Sequence, residues 1–170
     1  SADQVLSTNG SAVLAWATGG AGAVTRLFAA SGTDTSAGAT NVSTFAITGL
    51  TRLDSLVVYA SVESVTQQTG NARIYNSTDS VALESLSNGA AIAAGQYFTT
   101  VMTARQQESN TKIQANSYLT DSLTGGAIRG QNATFTTDWS GSWTIALRHE
   151  GVTAGGTFKF AWVLLKVAGQ

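Results

Sequence analysis

The sequence predicts an all-β fold, an antiparallel β-sandwich of the jelly-roll type. Strand-sized runs in which apolar residues alternate with polar ones follow one another at nearly regular spacing. Clusters rich in Gly, Asn and Ser separate these runs, as is typical of turns. No window shows the 3.6-residue periodicity of an amphipathic helix. Many short strands joined by turns, without helices, indicate a sandwich or a jelly roll.

The predicted strands share apolar residues at alternate positions or a β-prone composition. In chain order they are Val24–Ala30, Val42–Thr48, Leu56–Val65, Ala72–Asn76, Val81–Leu86, Gln96–Gln106, Lys112–Leu119, Ala127–Thr137, Ser142–Glu150 and Thr157–Val167. The longest turn cluster between them spans Ser31–Thr40. Residues 21–170 are therefore predicted to form the sandwich, and residues 1–20 a separate hairpin and linker.

The last strand, Thr157–Val167, is predicted to be covered on both faces. One face carries large apolar side chains, from Phe158 to Leu164, that suit the core of the domain. The opposite face becomes apolar toward the C-terminus, where Ala161, Val163, Leu165 and Val167 follow one another at alternate positions. Because an apolar second face must also be buried, we expect these four residues to contact another copy of the chain.

Composition excludes several classes of function. The net charge of −1 provides no field for binding nucleic acid, and no apolar run is long enough to insert into a membrane. A chain with one histidine and no cysteine cannot build a tetrahedral metal site from nitrogen and sulfur ligands. No phosphate-binding loop is present. We therefore expect no cofactor and no enzymatic activity.

The residues nearest to catalytic chemistry are His149, Asp138 and Glu150. His149 is the one side chain that could serve as an imidazole base, but its place at the end of a strand favours a structural role. A glycosidase would need a spaced pair of carboxylates, for which Asp138 and Glu150 are available. Both lie where turns usually carry acids, so we interpret them as turn residues.

One local cluster has a composition suited to binding sugars. Arg129, Gln131 and Asn132 precede Asp138 and Trp139, and together they offer an aromatic face and several hydrogen-bonding groups. Trp139 lies in a turn, where it could stack on a sugar ring or cap the core. Trp143 begins a strand on its apolar face, and we assign it to the core.

The N-terminal segment resembles a stretch that recurs in bacteriophage tail-fibre proteins. It runs from Gln4 to Trp16 and contains Gln4-Val5-Leu6, a polar pair, Asn9-Gly10, a small residue and a short run ending in Trp16. Asn-Gly between two β-prone runs is also a strong signal for a hairpin with a two-residue turn. Ala12-Val13 departs from the residues usual beside this turn.

The resemblance implies a homotrimeric tail-fibre protein in the virion, with this domain at the fibre tip. Its expected function is attachment to a bacterial surface carbohydrate or another surface receptor. The alternative is a structural module without catalysis, such as a fibre-assembly or capsid-decoration domain. A depolymerase acting on surface polysaccharide is disfavoured, because no carboxylate pair stands out.

Overall fold

The computed structural model describes residues 4–8, 14–18, 23–86, 91–123, 125–151 and 156–169. Within these ranges the strands are β1 (Gln4–Thr8), β2 (Leu14–Thr18), β3 (Val24–Asp34), β4 (Gly38–Ile47), β5 (Ser55–Ser64), β6 (Gln68–Asn76), β7 (Val81–Ser85), β8 (Ala91–Ile92), β9 (Tyr97–Gln106), β10 (Lys112–Asp121), β11 (Gly125–Thr134), β12 (Trp143–Gly151) and β13 (Phe158–Val167). No helix in these ranges is long and apolar enough to cross a membrane.

The strands form two sheets that pack face to face, together with the separate β1–β2 pair. The first sheet has six strands in the order β11-β10-β9-β5-β13-β3. The second has the order β4-β12-β6-β7, and the short strand β8 also pairs with β6. The strand pairs in both sheets are antiparallel. The predicted all-β sandwich is confirmed.

The core lies between the two sheets and receives one face of each. Alternate residues of β5 and β9 point into it from the six-stranded sheet, and Ile145 and Leu147 of β12 point into it from the other. At one open side of the sandwich, Phe28 of β3 packs against Phe45 of β4, with ring centroids 5.1 Å apart. The same ring meets Trp162 edge-on at 5.2 Å. The Phe28–Phe45 contact joins the two layers, and the contact with Trp162 lies within the first sheet.

Each strand predicted from the alternation corresponds to an observed strand. The main difference is at Ser31–Thr40, where β3 continues to Asp34 and β4 begins at Gly38. Gly32 pairs with Phe160 of β13, and a side chain at position 32 would crowd the Phe160 ring. The turn is short because Gly38 adopts a φ of 79°, which favours glycine. Because the end of β3 and the start of β4 are rich in polar residues, the sequence prediction assigned both to a turn.

The β1–β2 pair confirms the predicted hairpin but not its register. Thr8 pairs with Leu14 and Gln4 with Thr18. A two-residue turn at Asn9-Gly10 would instead place Thr8 opposite Ser11, so that part of the prediction is wrong. Asn9 and Gly10 themselves lie outside the described residues. The boundary predicted between residues 1–20 and the sandwich stays a prediction.

Candidate interaction surface

Trp139 is part of the core. Its side chain is buried, its indole Nε1 donates to the carbonyl oxygen of Thr51 at 3.1 Å, and its ring lies 5.6 Å from that of Trp143. A buried ring cannot stack on a sugar, so the interpretation of Trp139 as a binding platform is wrong. Trp143 is also buried, as predicted. Asp138, next to them in the chain, is exposed.

The other residues of the predicted sugar site lie on β11 but do not converge. Arg129 and Gln131 pair with Ser117 and Ala115, whose side chains face the core side of the sheet. Asn132 pairs with Gln114 and faces the opposite side. Because successive residues of a strand point to opposite faces, no ligand on one face can contact all three.

Arg129 is occupied by a contact within the domain. Its guanidinium donates to the carbonyl oxygen of Ser85 at 2.8 Å and lies 3.7 Å from the carboxylate of Glu84. Glu84 is buried and also accepts a hydrogen bond from the Ser117 hydroxyl. Arg129 therefore fastens β11 to β7 at the second open side of the sandwich.

A surface that the sequence prediction included only in part is the outer side of the six-stranded sheet. The strand register aligns one apolar or aromatic residue from every strand into a row across the sheet. The row consists of Ile128, Tyr118, Val101, Tyr59, Val163 and Ala29, and we call the surface around it the outer apolar face. Ile128 is 85% exposed, and Tyr118 and Tyr59 are about half exposed.

The outer apolar face contains an open groove of about 800 Å³. Tyr59, Tyr118, Val101 and Val163 line it, and hydroxyl-bearing residues such as Thr99 and Thr120 flank the row. A side chain at position 126 would collide with the Tyr118 ring, so Gly126 is required for the ring to lie as it does. Two of the four predicted interface residues, Ala161 and Val163, also line the groove.

The outer side of the five-stranded sheet has a different character. Glu150 lies between two arginines, 3.3 Å from Arg73 and 3.0 Å from Arg148. The Arg148 guanidinium also stacks 4.6 Å above the Tyr75 ring. Charges paired in this way are typical of a solvent-facing surface. By contrast, the row of the outer apolar face contains no charged residue. The ion pair between Lys159 and Glu63 lies away from this row, toward one end of the six-stranded sheet.

The alternation of residues along several strands, and not only along the last one, contains a signal for this face. Tyr59, Val101 and Tyr118 each occupy a position that alternates with buried neighbours in their strands. Large apolar residues at outward positions of several strands indicate a second buried surface. Their alignment could not be read from the chain, because it depends on strand order and register.

His149 takes a structural position between the two sheets. Its Nδ1 lies 2.8 Å from the Asp34 carboxylate, and its buried ring meets that of Phe158 edge-on at 4.0 Å. Burial raises the pKa of Asp34, but hydrogen bonds from His149 and Ser36 outweigh this effect and lower it overall. Within the described ranges no group of three or more His, Asp or Glu residues could hold a metal ion.

Comparisons with known proteins identify no family for this chain. No family model matches it, and no curated protein sequence matches it. Among solved structures it is similar to that of infectious bursal disease virus Gx strain, at 14% identity and a TM-score of 0.22, covering 99% of this chain and 48% of that one. The VP2 subviral particle of the same virus has 13% identity and a TM-score of 0.26, covering 98% of this chain and 47% of that one. The chain thus spans about half the length of these proteins. At such TM-scores the likeness supports no statement about function.

Proposed function

We propose that the chain is a structural module of a phage particle, belonging to a tail fibre, that assembles as a homotrimer through its outer apolar face. The observation that carries this proposal is the row of six apolar or aromatic residues, one from each strand of the sheet, of which five are exposed and Val163 is half-buried in the single chain. The tail-fibre origin and the number of three copies follow from the resemblance of the Gln4–Trp16 segment.

The composition of the outer apolar face favours a protein partner. Protein interfaces are enriched in tyrosine at their centres and depleted of charge, and this row has two tyrosines and no charge. Sugar sites rely instead on amides, carboxylates and arginines to bind hydroxyls. In the groove the polar groups are mainly the hydroxyls of Ser, Thr and Tyr.

The extent of the face also suits an interface between copies. Strands about 4.8 Å apart, with about ten residues at about 3.3 Å each, give the whole outer side of the six-stranded sheet an area of roughly 900 Å², and the outer apolar face is its central part, between the ends that carry Arg105 and Lys159. A stable interface buries about 800 Å² on each partner. Strand β13, whose second face first suggested an oligomer, pairs with β5 and β3 within this surface.

Light scattering of the purified protein tests the assembly. We expect three times the chain mass of 17.5 kDa at micromolar concentration. Val163→Asp should dissociate the trimer, because it places a charge on the buried row. Thr44→Asp is the matched control, since Thr44 is exposed on β4 of the other sheet. A parent protein that is monomeric would refute the homotrimer.

Host attachment is the more specific role that the tail-fibre resemblance implies, and we propose it for this domain. The feature that favours it is a polar recess, lined by Arg52 and Arg105, at one end of the sheet that carries the outer apolar face. Labelled protein should bind some bacterial strains of a diverse panel and not others. Equal binding to all strains, or to none, would remove the attachment role and leave the assembly role standing.

A further inference from the structure

A recess with two arginines lies where the connection between β4 and β5 meets the end of β9. Its volume is about 310 Å³, at the lower limit of the roughly 300–1,000 Å³ usual for ligand pockets. We call it the arginine recess, and its lining includes Arg52, Leu53, Arg105, Gln106, Gln107 and Gln114. It lies outside the central row of the outer apolar face.

The two arginines of the recess differ from three of the four other arginines of the chain, while Arg26 of β3 resembles them in taking part in no ion pair of the described residues. Arg73, Arg129 and Arg148 each lie within 4 Å of a carboxylate, whereas the ion pairs of the described residues include neither Arg52 nor Arg105. The recess is therefore lined by two arginines that take part in no ion pair of the described residues. A guanidinium can bind a carboxylate through two parallel hydrogen bonds.

The carboxylate of Asp54, which lies between the lining residues Leu53 and Ser55 in the sequence, is engaged elsewhere. Asp54 accepts hydrogen bonds from the backbone N–H groups of Thr51 and Gly169, at 2.7 and 3.2 Å. It also lies 3.4 Å from the ammonium group of Lys166. Asp54 is buried. Its charge is thus balanced by groups outside the arginine recess.

Glutamine side chains hold part of the recess in place. Gln106 is only 9% exposed and points to the core side of the sheet, opposite to its neighbour Arg105, where its amide donates to Asn110 at 3.1 Å. Gln114 accepts a hydrogen bond from Arg105 at 3.2 Å, which orients that guanidinium. Amide groups both donate and accept, so they suit sugar hydroxyls. Leu53 is 61% exposed and offers an apolar surface to the C–H face of a ring.

We infer that the arginine recess binds an acidic saccharide, a sugar unit that carries a carboxylate. Arg52 and Arg105 would bind the carboxylate, Gln114 would bind hydroxyls, and Leu53 would contact the ring. The volume suits one or two sugar units. This inference deepens the proposed role in attachment by naming a ligand class, and it does not depend on the trimer.

Calorimetric titration with digalacturonate tests the inference. Binding to the parent protein is expected, and Arg52→Gln and Arg105→Gln should each weaken it at least tenfold. Lys159→Gln removes the same charge at the other end of the sheet and should leave the affinity unchanged. Melting curves check that each variant is folded. Neutral maltose should not bind.

Three results would overturn the inference. They are no heat from digalacturonate with the parent protein, equal weakening by Lys159→Gln, and binding of inorganic phosphate as tight as that of the uronate. The last result would indicate a general anion site. Light scattering on the same samples separates this outcome from the assembly proposal, because a trimer that binds no uronate contradicts only the arginine recess.

Discussion

Trp139 connects several loops at one end of the sandwich through its backbone and its indole. Its backbone N–H donates to the carbonyl of Asn110 at 2.8 Å, its Nε1 donates to Thr51, and its own carbonyl accepts from Nε1 of Trp143 at 3.2 Å. The residue thus links the β9–β10 and β4–β5 connections to the start of β12. A large buried side chain with satisfied polar groups stabilises all three.

We expect Trp139→Ala to lower the free energy of unfolding by about 3–5 kcal/mol, as for Trp143→Ala, because each leaves a cavity in the core. Urea denaturation of both variants measures this. Trp139→Phe keeps most of the buried ring and should cost less. Near-parent stability of Trp139→Ala would mean that the ring does not pack as described.

Asp79 is a second residue that joins separate turns. Its carboxylate accepts hydrogen bonds from Asn76 at 3.0 Å and from the Thr137 hydroxyl at 2.9 Å, and it also bonds Thr136. Burial raises the pKa of Asp79, but the hydrogen bonds from Thr136, Thr137 and Asn76 outweigh it and hold the pKa below 3.8. The charged form is therefore the one that stabilises the fold.

The pH dependence of stability follows from the lowered pKa. A carboxyl with a lower pKa in the folded state contributes its full stability above the unfolded value of 3.8, and loses it as pH falls toward the folded value. We expect Asp79→Asn to be less stable than the parent at pH 7. Its free energy of unfolding should also fall less than that of the parent when the pH is lowered below 3.8. Urea melts from pH 7 to pH 2 measure this, with Asp138→Asn on the neighbouring turn as control. Identical acid curves for parent and Asp79→Asn would contradict it.

At the scale of the elements, β11 shows how much could be predicted from the sequence. The strand itself was predictable, as were the others, because apolar alternation and turn residues are local signals. The predicted cluster of Arg129, Gln131 and Asn132 does not form, because the alternation of the strand places Asn132 on the face of the sheet opposite to the other two. The Arg129–Glu84 contact spans residues 45 positions apart, and only the packing of the two sheets brings them together.

This contact predicts a coupled pair of substitutions. Arg129→Ala should lower the free energy of unfolding by about 1–3 kcal/mol, because the buried Glu84 carboxylate loses a cationic partner. Adding Glu84→Gln should restore part of the loss, since an amide is cheaper to bury than an unpaired charge. A double-mutant cycle in urea measures the coupling. Strictly additive effects would show that the two side chains do not interact.

At the scale of the whole molecule, the two outer sides of the sandwich divide its surface into unlike halves. One side carries the paired charges around Glu150, and the other carries the uncharged row through Tyr59 and Tyr118. The ion pairs of Glu150 lie near the middle of the first of these sides, whereas the Lys159–Glu63 pair lies toward one end of the second. The homotrimer we propose buries the other side.

The most direct test of this account measures whether the outer apolar face is covered in solution. The chain has no cysteine, so a single Val101→Cys places a thiol at the centre of the row, and Thr44→Cys places one on the opposite sheet. We predict that a maleimide reacts at least tenfold more slowly at position 101 than at position 44 in the assembled protein. The difference should vanish when the assembly is dissociated. Equal rates at both positions in the native protein would contradict the central claim.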